Sequence, residues 1–150
     1  MRLVAFVATA VLLGTTIAAQ QALVVDYVIT PRVFAVAADD AAEVVIIGSG
    51  STFRTREGSP VAIEVMERDG IVHTKLVVVP RDLGAGRVAL RVELSLVRAG
   101  QVTTAKFDVL CGSETQRATV AARDESGRFM RDQQGRPIYA SFDVVTNTRH

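Results

Sequence analysis

The sequence is poor in the residues that most often carry out chemistry. It has one cysteine, two histidines and no tryptophan. A single cysteine excludes an intramolecular disulfide, so packing must hold the folded chain together. The histidines are His73, inside an apolar segment, and His150, the last residue, so neither stands in a cluster of metal ligands. We therefore assign no metal-binding residue and expect no cofactor.

An excess of either charge is also missing. The chain has 17 basic and 16 acidic residues, and Arg2 is the one charged residue among residues 1–19. Residues 20–150 therefore carry equal numbers of the two signs. A balanced surface offers no electrostatic footprint for nucleic acid and no polybasic patch for anionic lipid. We expect no nucleic-acid partner.

One long apolar run is present, at the N-terminus. Arg2 precedes it, the run from Leu3 to Ile17 is interrupted by Thr and Gly alone, and two alanines follow. This order is typical of a secretory signal peptide, with cleavage predicted after Ala19. A membrane anchor or a buried helix is the alternative, although a span needs about 20 apolar residues. We predict a signal peptide over 1–19 and a single periplasmic or secreted domain over 20–150, with no membrane span after cleavage.

Period-two alternation dominates the rest of the chain. From Arg87 to Val97 every second residue is Val or Leu, and those between are mostly polar or small. Such alternation is typical of a strand with one buried face. It recurs over 60–67 and 71–79, and the intervening Asp69-Gly70 favours a hairpin turn. Residues 60–97 are therefore predicted to form three consecutive antiparallel strands.

Further strands are predicted on both sides of this meander. Pro80 is expected to end its strand, because proline cannot donate to a ladder, and Pro31 to mark a bend or bulge at a sheet edge. Residues 147–150 form a polar tail that we expect to fray. Residues 124–127 and 132–135 are predicted to form turns, with a short strand beginning at Phe129 and Met130 between them. The flanking strands are predicted over 23–30, 33–37, 43–47, 102–111, 115–122 and 138–145. This spacing predicts an all-β fold, a mostly antiparallel β-sandwich of about seven to nine strands.

Motifs that bind nucleotides or ions are incomplete. Gly48-Ser49-Gly50 follows an apolar strand, as in a dinucleotide-binding fingerprint, but Phe53 stands where the third glycine belongs. The carboxylates between 39 and 43 lack a ligand-rich loop, which favours a solvated turn over a Ca²⁺ site. Arg54 and Arg56 are interpreted as charges that protect an edge strand from aggregation, and recognition of an acidic partner is the alternative.

Cys111 shares an alternation face with Phe107 and Val109. This position favours a small buried hydrophobic residue. An intermolecular disulfide is the alternative, because the predicted compartment would permit one.

Catalysis would have to use side chains gathered from separate strands. The candidates are Glu64, Glu67, Glu93, Asp108 and His73. Two or more of them in one cleft would support a hydrolase that works through carboxylates. No nucleophile motif accompanies His73, so we interpret it as structural and assign no catalytic residue.

Residues 53–97 resemble a segment of the bacterial secretin family, the outer-membrane secretion channels. The shared pattern is Gly58-Ser59-Pro60, then Leu76-x-Val78-x-Pro80-Arg81, a glycine turn, and Val88-x-Leu90-x-Val92. In secretins a strand that ends in Pro-Arg precedes a turn and another alternating strand. The chain is far shorter than a secretin and lacks its ring domains. The resemblance therefore implies a related β module in a small envelope protein, with no pore function and no functional residue carried over.

The function that we expect from these features is non-catalytic. An exported β scaffold with few titratable candidates favours a module for protein binding or assembly in the bacterial envelope, which presents loops and edge strands to another envelope protein. A hydrolase that uses carboxylates from separate strands is one alternative. A carrier of a small apolar ligand is the other, and it would need an enclosed dry cavity between the sheets.

Overall fold

The computed structural model describes residues 24–48, 50–66, 72–98, 100–112 and 117–149. The predicted signal peptide lies outside the described residues, as do Glu67 and the predicted Asp69-Gly70 turn. Over the described ranges the fold is all-β, with nine strands in two antiparallel sheets. The fold class predicted from alternation is therefore confirmed.

Each sheet is built mainly from strands that are close in sequence. The strands are β1 Val24–Val36, β2 Glu43–Ile47, β3 Phe53–Arg56, β4 Val61–Met66, β5 Val72–Gly84, β6 Arg87–Arg98, β7 Gln101–Cys111, β8 Arg117–Ala121 and β9 Ile138–Arg149. In the first sheet β1 lies between β9 on one side and both β2 and β3 on the other, and β8 pairs with the far side of β9. The second sheet has the order β4-β5-β6-β7, which confirms the predicted meander and extends it by one strand.

The two sheets share one apolar core. In β6 the predicted inward residues from Val88 to Leu94 are almost fully buried, whereas Arg91 and Glu93 between them are exposed. Leu96, also predicted inward, is half-buried near the end of the strand. Large side chains with no solvent exposure fill the interior from both sheets: Ile29, Leu76, Leu90, Leu94 and Phe142. Each such residue contributes roughly 1.5–3 kcal/mol to folding.

The outer face of the second sheet pairs its charges across neighbouring strands. Opposite charges in directly opposed positions stabilise a sheet modestly and keep an exposed face soluble. The cross-strand pairs are Lys75–Glu64 at 3.5 Å, Lys106–Glu93 at 3.9 Å and Arg91–Asp108 at 3.9 Å, with the hydroxyls of Ser95 and Thr104 at 3.1 Å.

Pro80 does not end its strand, contrary to the prediction. β5 continues to Gly84, and Pro80 lies opposite Leu90 of β6. The ladder with β4 stops at Val78, and beyond it the carbonyl of Pro80 accepts a hydrogen bond from the Gly58 nitrogen at 2.8 Å. Both polar groups of one residue point to the same side of an antiparallel strand. The missing N–H therefore faces a side where β4 requires no donor.

The bend or bulge predicted at Pro31 and the fraying predicted for residues 147–149 are not observed; the nearest irregularity is a register shift between Val33 and Phe34 in the pairing of β1 with β2. β1 is one continuous strand through Pro31, which lies opposite Phe142 of β9. On its other edge β1 pairs with β3 up to Ile29 and with β2 from Val33, so Pro31 lies at a gap where neither strand needs its donor. The chain from 147 to 149 belongs to β9, because the start of β1 supplies its hydrogen-bonding partner.

Cys111 is buried at the end of β7 with a free thiol, as the alternation predicts. Burial, with a smaller contribution from the charge of Asp143, raises the pKa of this thiol. A raised pKa keeps the thiol protonated and poorly nucleophilic.

Candidate functional site

The connection between β8 and β9 contains two hairpins of identical design. We call residues 122–138 the hairpin pair. Its first turn is formed by 124–128 and its second by 132–136, and both are preceded by an arginine in the repeated pattern Arg-Asp-x-x-Gly-Arg. The repeat has a physical reason, because each turn ends in a bulge whose residue must adopt a positive φ, and glycine does so without strain. Gly127 and Gly135 have φ values of 81° and 76°.

An aspartate organises each turn. Asp124 Oδ1 accepts hydrogen bonds from the Ser126 nitrogen, the Ser126 hydroxyl and the Arg128 nitrogen, at 2.9, 2.6 and 3.0 Å. Asp132 Oδ1 accepts two from the Gln134 and Arg136 nitrogens, at 3.0 and 2.9 Å. An aspartate in the first position of a turn commonly satisfies the backbone donors that follow it. These carboxylates therefore serve the local backbone.

The two hairpins are joined to the core by a closed ring of three backbone hydrogen bonds. The nitrogen of Met130 donates to Ala122, that of Ile138 to Met130, and that of Ala122 to Ile138, at 2.9, 3.0 and 2.9 Å. All three residues are buried and belong to the core cluster. These three residues therefore form a small apolar cluster, which we call the hub, and both hairpins and the β8–β9 pair extend from it. This hub holds the turns in defined positions at the end of the sandwich.

The hairpin pair concentrates arginine at this end of the molecule. Arg123 and Arg131 occupy equivalent positions, and each donates from Nη1 to the glycine carbonyl of its own turn, at 3.0 and 2.8 Å. Arg136 binds Asp132 with Nη2 2.6 Å from Oδ2. Arg98, at the end of β6, donates to the Gln133 carbonyl at 3.1 Å. The hydrogen bond from Arg98 thus ties the hairpin pair to the end of β6.

Arg128 is placed differently from its equivalent in the second turn. Arg136 is half-buried and bound to a carboxylate, but the Arg128 side chain is 82% exposed. Its Nε donates to the Ser126 hydroxyl at 2.8 Å and lies 3.8 Å from Asp124 Oδ2. Its two terminal nitrogens have no partner among the residues that the structure describes. These donors are available to a ligand.

A groove of about 490 Å³ opens between the hairpin pair and the β6–β7 hairpin. We call it the arginine groove. Leu96, Phe129 and Met130 supply its apolar part, and Phe129 is 39% exposed there, with Arg123 over its ring at 4.1 Å from the centroid. The polar lining consists of Arg98, Arg128, Arg131, Thr103 and Asp124. The lining therefore contains three guanidinium groups and one carboxylate, and this carboxylate already accepts hydrogen bonds within its own turn.

The turn carboxylates remain ionised well into the acid range. The Ser126 hydroxyl and the Arg128 nitrogen lower the pKa of Asp124. Burial alone would raise the pKa of Asp132, but the backbone and side-chain hydrogen bonds from Arg136 outweigh it and lower that pKa. Hydrogen bonds to the charged form of a carboxylate favour that form. The turns therefore keep their geometry throughout the neutral range.

A second groove of similar size, about 410 Å³, lies on the outer face of the second sheet. Its formal charges balance, because Glu57 and Asp108 line it together with Arg81 and Arg91. Arg91 lies 3.9 Å from Asp108, and Glu57 Oε1 accepts from the Asp82 nitrogen at 3.3 Å. This groove therefore lacks the excess of positive charge found in the arginine groove, and Arg91 provides a control for it.

The described carboxylates on which a hydrolase would depend do not meet. Glu64 and Glu93 pair with lysines on the exposed face of the second sheet, and Asp108 lies in the balanced groove with Arg91. His73 instead lines a groove of about 220 Å³ next to the arginine groove. Among these four residues no two line the same groove. These four residues are therefore not brought together as the paired carboxylates that the hydrolase alternative requires.

Several other charged residues singled out in the sequence have local partners. Glu43 pairs with Arg32, and Asp40 Oδ1 accepts a hydrogen bond from the Ala42 nitrogen at 3.0 Å, which is the behaviour of a turn. Arg54 and Arg56 lie on β3, at the edge of the first sheet. Arg56 also reaches the buried Asp26 at 3.4 Å. Their position at an edge is the one that the interpretation as protecting charges requires.

Metal-ligand clusters and membrane-spanning helices are both absent from the described ranges. Within those ranges no three His, Cys, Asp or Glu side chains come together as a group that could hold a metal ion. The same ranges contain no helix long and apolar enough to cross a membrane.

Comparisons with known proteins give no relative. No protein-family model matches the chain, and neither characterised proteins nor solved structures show significant similarity to it. The resemblance of residues 53–97 to a secretin segment therefore gains no support from them.

Sequence reasoning identified the turns of the hairpin pair but missed the site that they build. Residues 124–127 and 132–135 are typical turn clusters, and Phe129 and Met130 resemble the start of a strand. The available signal was the Arg-Asp-x-x-Gly-Arg repeat, eight residues apart. An internal repeat in a β protein indicates a repeated structural unit. Turn chemistry explains the aspartate and the glycine of this repeat but not its arginines, so the arginines were the available signal of a binding site.

Proposed function

We propose that this protein is a non-catalytic binding module of the bacterial envelope, and that the arginine groove is where it binds another envelope protein. The apolar N-terminal run supports export. The single apolar core shared by both sheets and the cross-strand ion pairs of the second sheet favour a scaffold, whose distinctive chemistry is collected at one end. Binding residues in β folds commonly lie in the loops that the rigid sheets position.

The observation that carries the proposal is the surplus of arginine donors around a partly apolar groove. Arg128 has two terminal nitrogens without a described partner, beside an exposed Phe129. Arginine is enriched at the energetic centres of protein interfaces, and phenylalanine is enriched in interfaces relative to the rest of the surface. Their juxtaposition on a rigid support is the arrangement expected of an interface.

Affinity capture from an envelope extract tests this proposal. The protein is purified after expression of the full chain and compared with Arg128→Ala and with Arg91→Ala. Both arginines are highly exposed, but Arg91 lines the balanced groove. We expect one or more proteins to be captured by the wild type and by Arg91→Ala, and to be reduced or lost with Arg128→Ala. Capture that is equal for all three variants, or no capture at all, would contradict the proposal.

A further inference from the structure

We propose that the ligand of the arginine groove is an acidic peptide segment, in which carboxylate side chains alternate with apolar ones. This inference rests on the proposed function, since it names the chemistry of the segment that the partner would present. The groove combines two surfaces that such a segment would need: guanidinium donors and an apolar wall.

The donors point to carboxylates. A guanidinium group has five N–H donors in a fixed planar fork that matches the two oxygens of a carboxylate. Arg128 uses Nε on Ser126, and Arg131 uses Nη1 on the Gly135 carbonyl. The remaining nitrogens of these two arginines have no partner among the described residues. Because the hub and the turns restrain the backbone on either side, less conformational entropy is lost when a ligand binds.

The charge balance of the groove favours an anion. Arg98, Arg128 and Arg131 line it, and Asp124 is the one acidic side chain in the lining. Asp124 Oδ1 already accepts three hydrogen bonds within its turn. An arriving carboxylate would therefore compete with one weak ion pair, that of Arg128 with Asp124 at 3.8 Å.

The apolar wall favours a peptide over a polynucleotide or a lipid headgroup. The partly exposed Leu96 and Phe129 lie beside the arginines, so a bound segment can bury an apolar side chain next to its carboxylates. A phosphate track would need a basic stripe that continues along the surface. The outer face of the second sheet instead pairs its cations with carboxylates across the strands. A groove of about 490 Å³ also suits a short segment.

Fluorescence anisotropy with two dye-labelled, end-blocked peptides tests the inference directly. One peptide is Glu-Leu-Glu-Leu-Glu and the other is Gln-Leu-Gln-Leu-Gln, which has the same length and apolar residues. We expect the acidic peptide to bind and its affinity to fall as salt rises. The glutamine peptide should bind at least about tenfold more weakly, because charge-assisted hydrogen bonds are roughly twice as strong as neutral ones.

Substitutions of the lining residues test whether the acidic peptide binds in the groove. Arg128→Ala and Arg131→Ala should each weaken the acidic peptide about tenfold, while Arg91→Ala should change its affinity less than about twofold. Arg128→Lys keeps the charge but loses the planar fork, so its affinity should fall between those of the wild type and Arg128→Ala. Far-ultraviolet circular dichroism and the thermal midpoint verify that each variant is folded.

The outcomes separate this inference from the function on which it rests. Equal binding of the two peptides, or equal weakening by Arg91→Ala and Arg128→Ala, would overturn the inference. So would tighter, Arg128-dependent binding of phosphatidylglycerol vesicles or of a single-stranded oligonucleotide. If the acidic peptide fails but envelope capture still depends on Arg128, the ligand class is wrong and the binding function stands. If neither depends on Arg128, both are wrong.

Discussion

The inward face of β6 makes the sharpest stability prediction. Leu90 has no solvent exposure, and its neighbour Arg91 has a side chain that is 75% exposed on the opposite face. Truncating a fully buried leucine to alanine removes its transfer free energy and leaves a cavity, at a cost of about 2–5 kcal/mol. We therefore expect Leu90→Ala to lower the free energy of unfolding by that amount.

Introducing a charge at the same position should be worse. Leu90→Asp places an unpaired carboxylate among apolar side chains, and a penalty of several kcal/mol adds to the lost packing. Single domains are stable by about 5–15 kcal/mol in total, so this variant should be largely unfolded. Arg91→Asp instead faces the exposed Asp108 across the sheet, and a like-charge pair there costs about 0.2–1 kcal/mol.

Guanidinium unfolding followed by circular dichroism measures these differences. The midpoint and the slope together give the free energy of unfolding in water for each variant. Leu90→Ala provides a value even when Leu90→Asp does not fold. Equal losses for Leu90→Ala and Arg91→Asp would mean that the assignment of the two faces of β6 is wrong.

Four other measurements test different parts of the structure. Gly127→Ala should cost about 1–2 kcal/mol because Gly127 has a positive φ, whereas Gly50→Ala should have little effect on the unfolding midpoint; equal effects would contradict the bulged turn. The lowered pKa of Asp132 stabilises the fold above the ordinary aspartate pKa of about 3.9, and this contribution is lost as pH falls through the lowered value. Asp132→Asn should therefore lose less stability than the wild type between pH 6 and pH 3, and parallel curves would refute this linkage. The raised pKa and burial of Cys111 predict slow alkylation by iodoacetamide in the native state and rapid alkylation in denaturant; equally fast native labelling would contradict them. Intact mass after export should lack residues 1–19, and a full-length mass would favour a retained anchor.

Local pattern was sufficient for most of the strands, for a physical reason. Alternation in β6 reports which side of a pleated strand avoids water, and this does not depend on which strand lies beside it. The errors occurred where a neighbouring strand decided the outcome. Pro80 remains within a strand because β4 has ended on the side of its missing donor, and the last residues of β9 are ordered because β1 begins early enough to pair with them. Neither fact can be predicted from the sequence of the segment that it affects.

The candidate site, like the fold, was predicted from the sequence only in part. The sequence by itself determines the two turns of the hairpin pair, because aspartate and glycine at their positions satisfy the local backbone and adopt the required φ. Only the tertiary structure decides that these turns converge on the hub of Ala122, Met130 and Ile138. It alone also brings Arg98, 35 residues before Gln133, to the same groove. The reason is that turn geometry is a short-range property of the chain, whereas a groove requires two distant segments to be held side by side by a shared core.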